Sequence, residues 1–257
     1  MTPLQWIGRR LAHYLSEPRD GVHVSTSRPG QLARTLRKGD VLLVEGTSRF
    51  AAAIRTITQS NWSHSALYVG DALAAVTGDA TPQFVEADIN AGVRAVPVET
   101  YAHLHTRICR PVGLDAAEVD ALVGYAIARI GDQYDLRNVV DLARYLLRPP
   151  PVPTRLRRRL LALGSGDPTR AICSSLIAAA FASIRYPVLP DIEVVRTRGE
   201  AGEEQAREIL HIRDSSLYAP RDFDMSPYFH IVKPTIEHGF DRSMLVWALR
   251  SQETGAP

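Results

Sequence analysis

Lysine and cysteine are almost missing from this chain. Only Lys38 and Lys233 carry an amine side chain, so nearly all the positive charge is arginine, and the formal net charge is only +2. No excess of one sign points to nucleic acid, and no reader motif for it is visible. Two cysteines, Cys109 and Cys173, make no disulfide framework. Free thiols fit a reducing compartment better than one isolated bridge. The opening run MTPLQWIGRRLAHYL has no basic segment leading into an apolar core and a small-residue cleavage site. No apolar run is long enough to span a bilayer. These absences make a cytoplasmic location the expectation, with contact at a membrane surface as its variant.

What is present is ordinary for a globular chain. The 257 residues are 45% hydrophobic and 23% charged, enough to bury a sizeable core. Leu4, Ile7, Leu11 and Leu15 recur at helical spacing and predict an amphipathic helix within a lead-in over 1–37. GDVLLVEG reads as a buried strand, and SRFAAAIRTIT as a short helix with Ser48 as N-cap. HSALYVG, QFVEAD, VRAVPV and TRICRPV follow as strands separated by turn residues. Asp115 caps the next helix, with Glu118 completing a capping box.

Further on, leucines alternate with arginines on both sides of RPPPVP, which predicts a basic helical insertion over 136–163. Its arginine stems can simply cover apolar surface, or it can form a lid or a contact with anionic lipid. The stretch RTRGEAGEEQARE is charged and poor in large apolar residues, so 196–208 is expected to be a solvated, mobile loop. YFHIVKP reads as a late strand, and the residues around Phe240, Leu245 and Leu249 as a final helix within 237–257. Strands, then helices, then a strand again give an α+β chain with helices packed on a sheet.

Chemistry concentrates in three places. AICSSLIAAAF sets Cys173 in or near the first turn of an apolar helix, where unpaired N–H groups and the positive dipole end lower a thiol pKa. Buried filler is the competing reading of such a cysteine. A catalytic thiol also needs an imidazole beside it and a polar group to orient that imidazole. His64 begins an apolar strand, and a strand end can hold a side chain rigidly while leaving it at a cleft edge. Glu86 stands inside the next apolar strand, and antiparallel pairing would bring the two together. Asp88 shares the strand face of Glu86 and is the runner-up for that orienting role. Cys109 lies mid-strand and reads as structural. His103 and His105 lack a second ligand pair, so no zinc site is expected.

In this order, GDVLLVEG, a short helix, WSHSALYVG, FVEAD, GDQYD, ICSSLIAAAF and YAPRDFDMSPYFHIV resemble the permuted papain-like cysteine hydrolases. The group meant is the YiiX/YaeF-like one, related to the NlpC-type cell-wall peptidases. The similarity spans about residues 38 to 234, and His64 precedes Cys173 as a circular permutation requires. The resemblance implies a circularly permuted papain-like fold with a catalytic domain over 38–236. It implies Cys173 as nucleophile, His64 as general base and acid, and Glu86 as the group orienting His64. It makes Tyr134 and Asp135 candidates for the substrate pocket or oxyanion site, beside Ser174 next to the nucleophile. No cofactor or metal is implied.

The activity that follows is thiol-dependent cleavage of an amide, or of an ester, through an acyl-enzyme. A lipid acyltransferase of the lecithin:retinol type and an inactive papain-like binding module are the alternatives. The expected partner is a small peptide, an amino-acid amide or an acyl-lipid, with no nucleic acid. Peripheral membrane contact would run through 136–163.

Overall fold

The structure is a computed structural model that describes residues 25, 30–74, 78, 81, 83–88, 91–133, 172–198 and 204–247. The expected N-terminal amphipathic helix, Tyr134, Asp135, the basic insertion 136–163 and Leu249 lie outside the described residues.

Short apolar runs between turn residues become a single antiparallel sheet. Its strands are β1 (Val41–Val44), β2 (His64–Gly70), β3 (Gln83–Asp88), β4 (Gly92–Pro97), β5 (Thr106–Pro111) and β8 (Phe229–Val232), in the order β4-β3-β2-β1-β5-β8. The late strand YFHIV therefore closes the edge beside β5, with Ile108 opposite Val232. All four residues of β1 are buried, as its unbroken apolar run requires of a strand covered on both faces.

Alternation along β2 divides the core. Leu67 and Val69 join the cluster under the helices α3 (Ala116–Ile127) and α4 (Ile172–Ser183). Ala66 and Tyr68 turn to the opposite face, with Phe84, Val96 and Tyr101, where α1 (Gln31–Thr35) adds Leu32. The helix α2 (Arg49–Thr58) starts at Ser48, whose hydroxyl accepts from the Ala51 amide at 3.0 Å. Helix α3 starts at Asp115 with both halves of the capping box made. Helix α4, apolar nearly all round, packs on β2, β3 and α3 at once.

Two expectations are corrected. The loop expected over 196–208 falls largely within a hairpin, β6 (Asp191–Arg198) paired antiparallel with β7 (Glu204–His211). Charge does not prevent a ladder, because main-chain groups pair whatever side chains they carry. Ile192 stands opposite Leu210 and both remain exposed, so the hairpin is solvated and extended together. The final helix expected around Phe240 and Leu245 is absent from the described residues. The short helix Pro234–Glu237 is followed by Gly239 at φ +77°, a left-handed position that ends helices. Asp241 then accepts from the Ser243 amide and closes a 3-10 turn, Arg242–Met244, after which Leu245–Trp247 are irregular. Among the described residues no helix is long and apolar enough to cross a membrane.

Candidate active site

His64 is the first residue of β2, opposite Val44 in register. The chain enters β2 through a braced corner. Ser63 donates its amide to the Val44 carbonyl at 3.1 Å, and Gly46 donates to the Ser63 hydroxyl at 2.8 Å. Trp62 donates its indole N–H to Asp224 at 3.0 Å, and Arg107 donates to both oxygens of Asp224 at 2.6 and 2.8 Å while lying over the Trp62 ring. This fixes the strand end, and with it the backbone of His64.

Glu86 lies on β3, with Arg94 of β4 directly opposite in register. The β2–β3 register pairs Leu67 with Val85, so Glu86 faces His64 across a diagonal on the same sheet face. The imidazole Nε2 and Glu86 Oε2 are 2.6 Å apart. Arg94 Nε donates to Glu86 Oε1 at 2.9 Å, and the Tyr101 hydroxyl donates to Oε2. Tyr101 comes from a 3-10 turn, Val98–Tyr101, and its oxygen is also 3.1 Å from His64 Nε2. Glu86 is only 2% exposed, while His64 keeps 24% of its side chain open to solvent. Burial alone would raise the Glu86 carboxyl, but His64, Tyr101 and Arg94 bring it down to about 2. Burial likewise raises the Tyr101 phenol and the nearby Glu86 charge adds to it, so Tyr101 remains a donor.

Cys173 is the second residue of α4, buried, and close enough to the His64 ring for each to shift the titration of the other. Burial opposes charge on both partners, yet the pair overcomes it. The imidazole is raised well above its ordinary value by Cys173 and Glu86. The thiol is lowered, against its burial, chiefly by His64, with Ser65 as the lesser neighbour. Both shifts favour thiolate and imidazolium, with Glu86 as the balancing anion.

The structure thus brings Cys173, His64 and Glu86 together. Asp88 takes no part in orienting His64: it accepts from the Ala91 amide at 2.8 Å and lies 3.5 Å from Arg94. Ser174 is fully buried, and its hydroxyl donates to the Tyr218 carbonyl at 2.8 Å, tying α4 to the following chain. Cys109 is buried in the core opposite Val41, and burial, with the charge of Asp224, pushes its thiol up. Among the described residues no group of three or more His, Cys, Asp or Glu could hold a metal ion. Tyr101, Arg94 and Ser65 went unnoticed in the sequence. Arg94 was within reach, since β3–β4 pairing sets it opposite Glu86. Tyr101 approaches from a turn and Ser65 is an ordinary strand polar residue, so neither carried a signal.

Residues 35–145 match the model of a family described as permuted papain-like amidase enzyme, YaeF/YiiX, C92 family. The family is an amidase family. The matched segment includes His64, Glu86, Arg94 and Tyr101, and Cys173 lies beyond its end. Among solved structures, the chain is similar to the metalloprotein YiiX from Escherichia coli O157:H7. The identity is 15% over 77% of this chain and 97% of that one, with a TM-score of 0.46. Among curated proteins there is no match.

Proposed function

We propose that this chain is a thiol amidase that works through a Cys173–His64–Glu86 triad and an acyl-enzyme. The observation that carries the reading is the hydrogen bond from the imidazole to a buried carboxylate, with the Cys173 thiol close enough to that ring to be lowered by it. The match to an amidase family over the segment holding two of the three residues supports it. The Cys173 thiolate attacks the amide carbonyl, and the carbonyl electrons move to oxygen. The Cys173 amide belongs to the first turn of α4, where N–H groups lack intrahelical partners, and it is suited to receive that oxyanion. As the C–N bond breaks, imidazolium gives its proton to the leaving amine. Neutral His64 then takes a proton from water, hydroxide attacks the thioester, and carboxylic acid and thiol are released.

Glu86 stays ionised throughout, holding the ring and offsetting its positive charge. The substrate class is a small peptide, an amino-acid amide or an acyl-lipid. The test uses simple aryl esters and amino-acid anilides as acyl donors, with intact-mass and peptide-mass measurement. An acyl group should be trapped on Cys173 in wild type and be absent in Cys173→Ala and His64→Ala. No adduct at Cys173 with any donor, together with equal slow alkylation of both cysteines, would leave the site without this activity.

A further inference from the structure

Tyr101 stands outside the triad, yet its hydroxyl reaches two of the three members. The phenol oxygen lies 3.1 Å from His64 Nε2, and its hydrogen goes to Glu86 Oε2, the oxygen that stands 2.6 Å from the same Nε2. Arg94 Nε takes the other carboxylate oxygen, Oε1, at 2.9 Å. The phenol ring is itself held in place. It is buried, meets the buried Phe84 ring edge-on at 5.7 Å between centroids, and lies tilted against the imidazole at 5.9 Å. Its backbone closes the 3-10 turn Val98–Tyr101, and the Tyr101 carbonyl accepts from the Leu104 amide at 3.0 Å. A phenol has one hydrogen to give. The carboxylate is the strongest acceptor within reach, so that hydrogen points at Oε2 and a phenol lone pair turns toward Nε2. Nε2 therefore faces two acceptors, and only an N–H at that position satisfies both.

From this geometry we infer that Tyr101 is a positioning residue that fixes the tautomer of His64, so that Nε2 keeps its hydrogen whether the ring is charged or neutral. The inference rests on the thiol-amidase reading. Glu86 alone would accept that hydrogen, but a carboxylate held by one partner is free to turn. With Arg94 on Oε1 and Tyr101 on Oε2 it is pinned through both oxygens and stays an acceptor. The proton traffic of the ring then falls on Nδ1. Imidazolium gives its Nδ1 proton to the leaving amine, and the neutral ring offers the Nδ1 lone pair to water. The proton taken from water restores imidazolium. Tyr101 gains and loses no proton at any step. The charged groups acting on its hydroxyl are Glu86 on β3, Cys173 on α4, Arg94 on β4 and His64 on β2, and its burial beside the Glu86 charge keeps the phenol protonated.

The experiment is proton–nitrogen NMR on protein carrying isotope-labelled histidine, with the His64 signals assigned by their loss in His64→Ala. A Cys173→Ala background supplies the neutral ring above its midpoint, because it removes the thiolate that raises the imidazole. With Tyr101 present, neutral His64 should be a single tautomer, Nε2–H, with that proton strongly downfield and slow to exchange with water. Tyr101→Phe keeps the ring packed on Phe84 and removes only the hydroxyl. In that variant the Nε2 proton should move upfield and exchange faster, and the Nδ1–H tautomer should appear. With Cys173 restored, Tyr101→Phe should turn over an aryl ester roughly tenfold more slowly in kcat, with KM unchanged. An unchanged tautomer and proton shift in Tyr101→Phe, whatever its melting temperature, would assign the hydroxyl to packing and overturn the inference while the triad stands. If the Nε2 proton of protein with Tyr101 intact does not respond to Glu86→Gln, the imidazole–carboxylate pair is absent and the triad itself has failed. Loss of folding in Tyr101→Phe would mean that the hydroxyl serves the fold, and it too would count against the inference.

Discussion

Cys109 and Cys173 are both buried, and their thiols move in opposite directions. Cys109 lies mid-strand, opposite Val41, with Asp224 as the nearby charge that makes a thiolate harder to form. Cys173 is also closed to solvent, but it has the imidazole of His64 as the neighbour that favours its thiolate. Desolvation is common to both sites, so it explains neither difference. What decides is the sign and placement of the immediate neighbours, which in a dry setting act with little screening. The two histidine–glutamate pairs repeat the lesson. His64–Glu86 and His211–Glu193 have nearly equal separations, 2.6 and 2.7 Å. The first is closed in by Tyr101 and Arg94, and the second lies open on the hairpin.

The cysteine comparison makes the largest prediction. At neutral pH, iodoacetamide should modify Cys173 at least about a hundredfold faster than Cys109, because only Cys173 has a substantial thiolate fraction. In His64→Ala the contrast should fall steeply, as the Cys173 midpoint climbs toward the ordinary thiol value of about 8.5. Peptide-level mass spectrometry across a pH series reads both numbers in one sample. Equal rates at the two sites in wild type would erase the distinction on which the candidate site depends.

Glu86 gives an intermediate effect with a definite pH sign. Its folded-state value of about 2 lies below its ordinary 4.5, so its stabilising contribution is complete above 4.5 and disappears as pH falls through 2. Glu86→Gln keeps the shape of the side chain and removes the charge. Its deficit in melting temperature against wild type should be greatest above pH 5 and shrink toward pH 2. Turnover should fall about tenfold to a hundredfold, since an amide can still hold the ring but cannot balance imidazolium. A deficit that stays constant from pH 2 to 6 would mean that the carboxylate is not held in the ionised form.

Much of this site was legible in the chain before any coordinates. Cysteine at a helix start, histidine at a strand start and glutamate inside an apolar strand are local signals, and each survives because neighbouring residues enforce it. Ser48 and Asp115 were equally readable, since a cap needs only residues three apart. What stayed hidden depends on chain folding over distance. Tyr101 reaches Glu86 from a turn 15 residues away, and nothing in VETYA marks that approach. Ser174 looked like a pocket residue because it adjoins Cys173, yet helical rotation carries it toward Tyr218. The β6–β7 hairpin was hidden for another reason. Its pairing is a main-chain property, and the charged composition over 196–208 reports only on solvation.

That hairpin supplies the smallest effect and the control for the whole comparison. Glu193 and His211 are 58% and 56% exposed and 2.7 Å apart, so distance alone would rank them beside His64–Glu86. In water, however, each partner is already well solvated, and holding two side chains in one geometry costs entropy that offsets most of the attraction. Glu193→Gln should change the melting temperature by no more than about 1 °C at pH 6 in low salt, and less when salt is added. It should leave the alkylation profile of Cys173 untouched. Measured beside Glu86→Gln at the same pH, it isolates enclosure as the variable, because the residue types and the separations match. A loss in Glu193→Gln as large as that in Glu86→Gln would show that enclosure does not set the strength of these pairs. The contrast between the two cysteines would then require another cause.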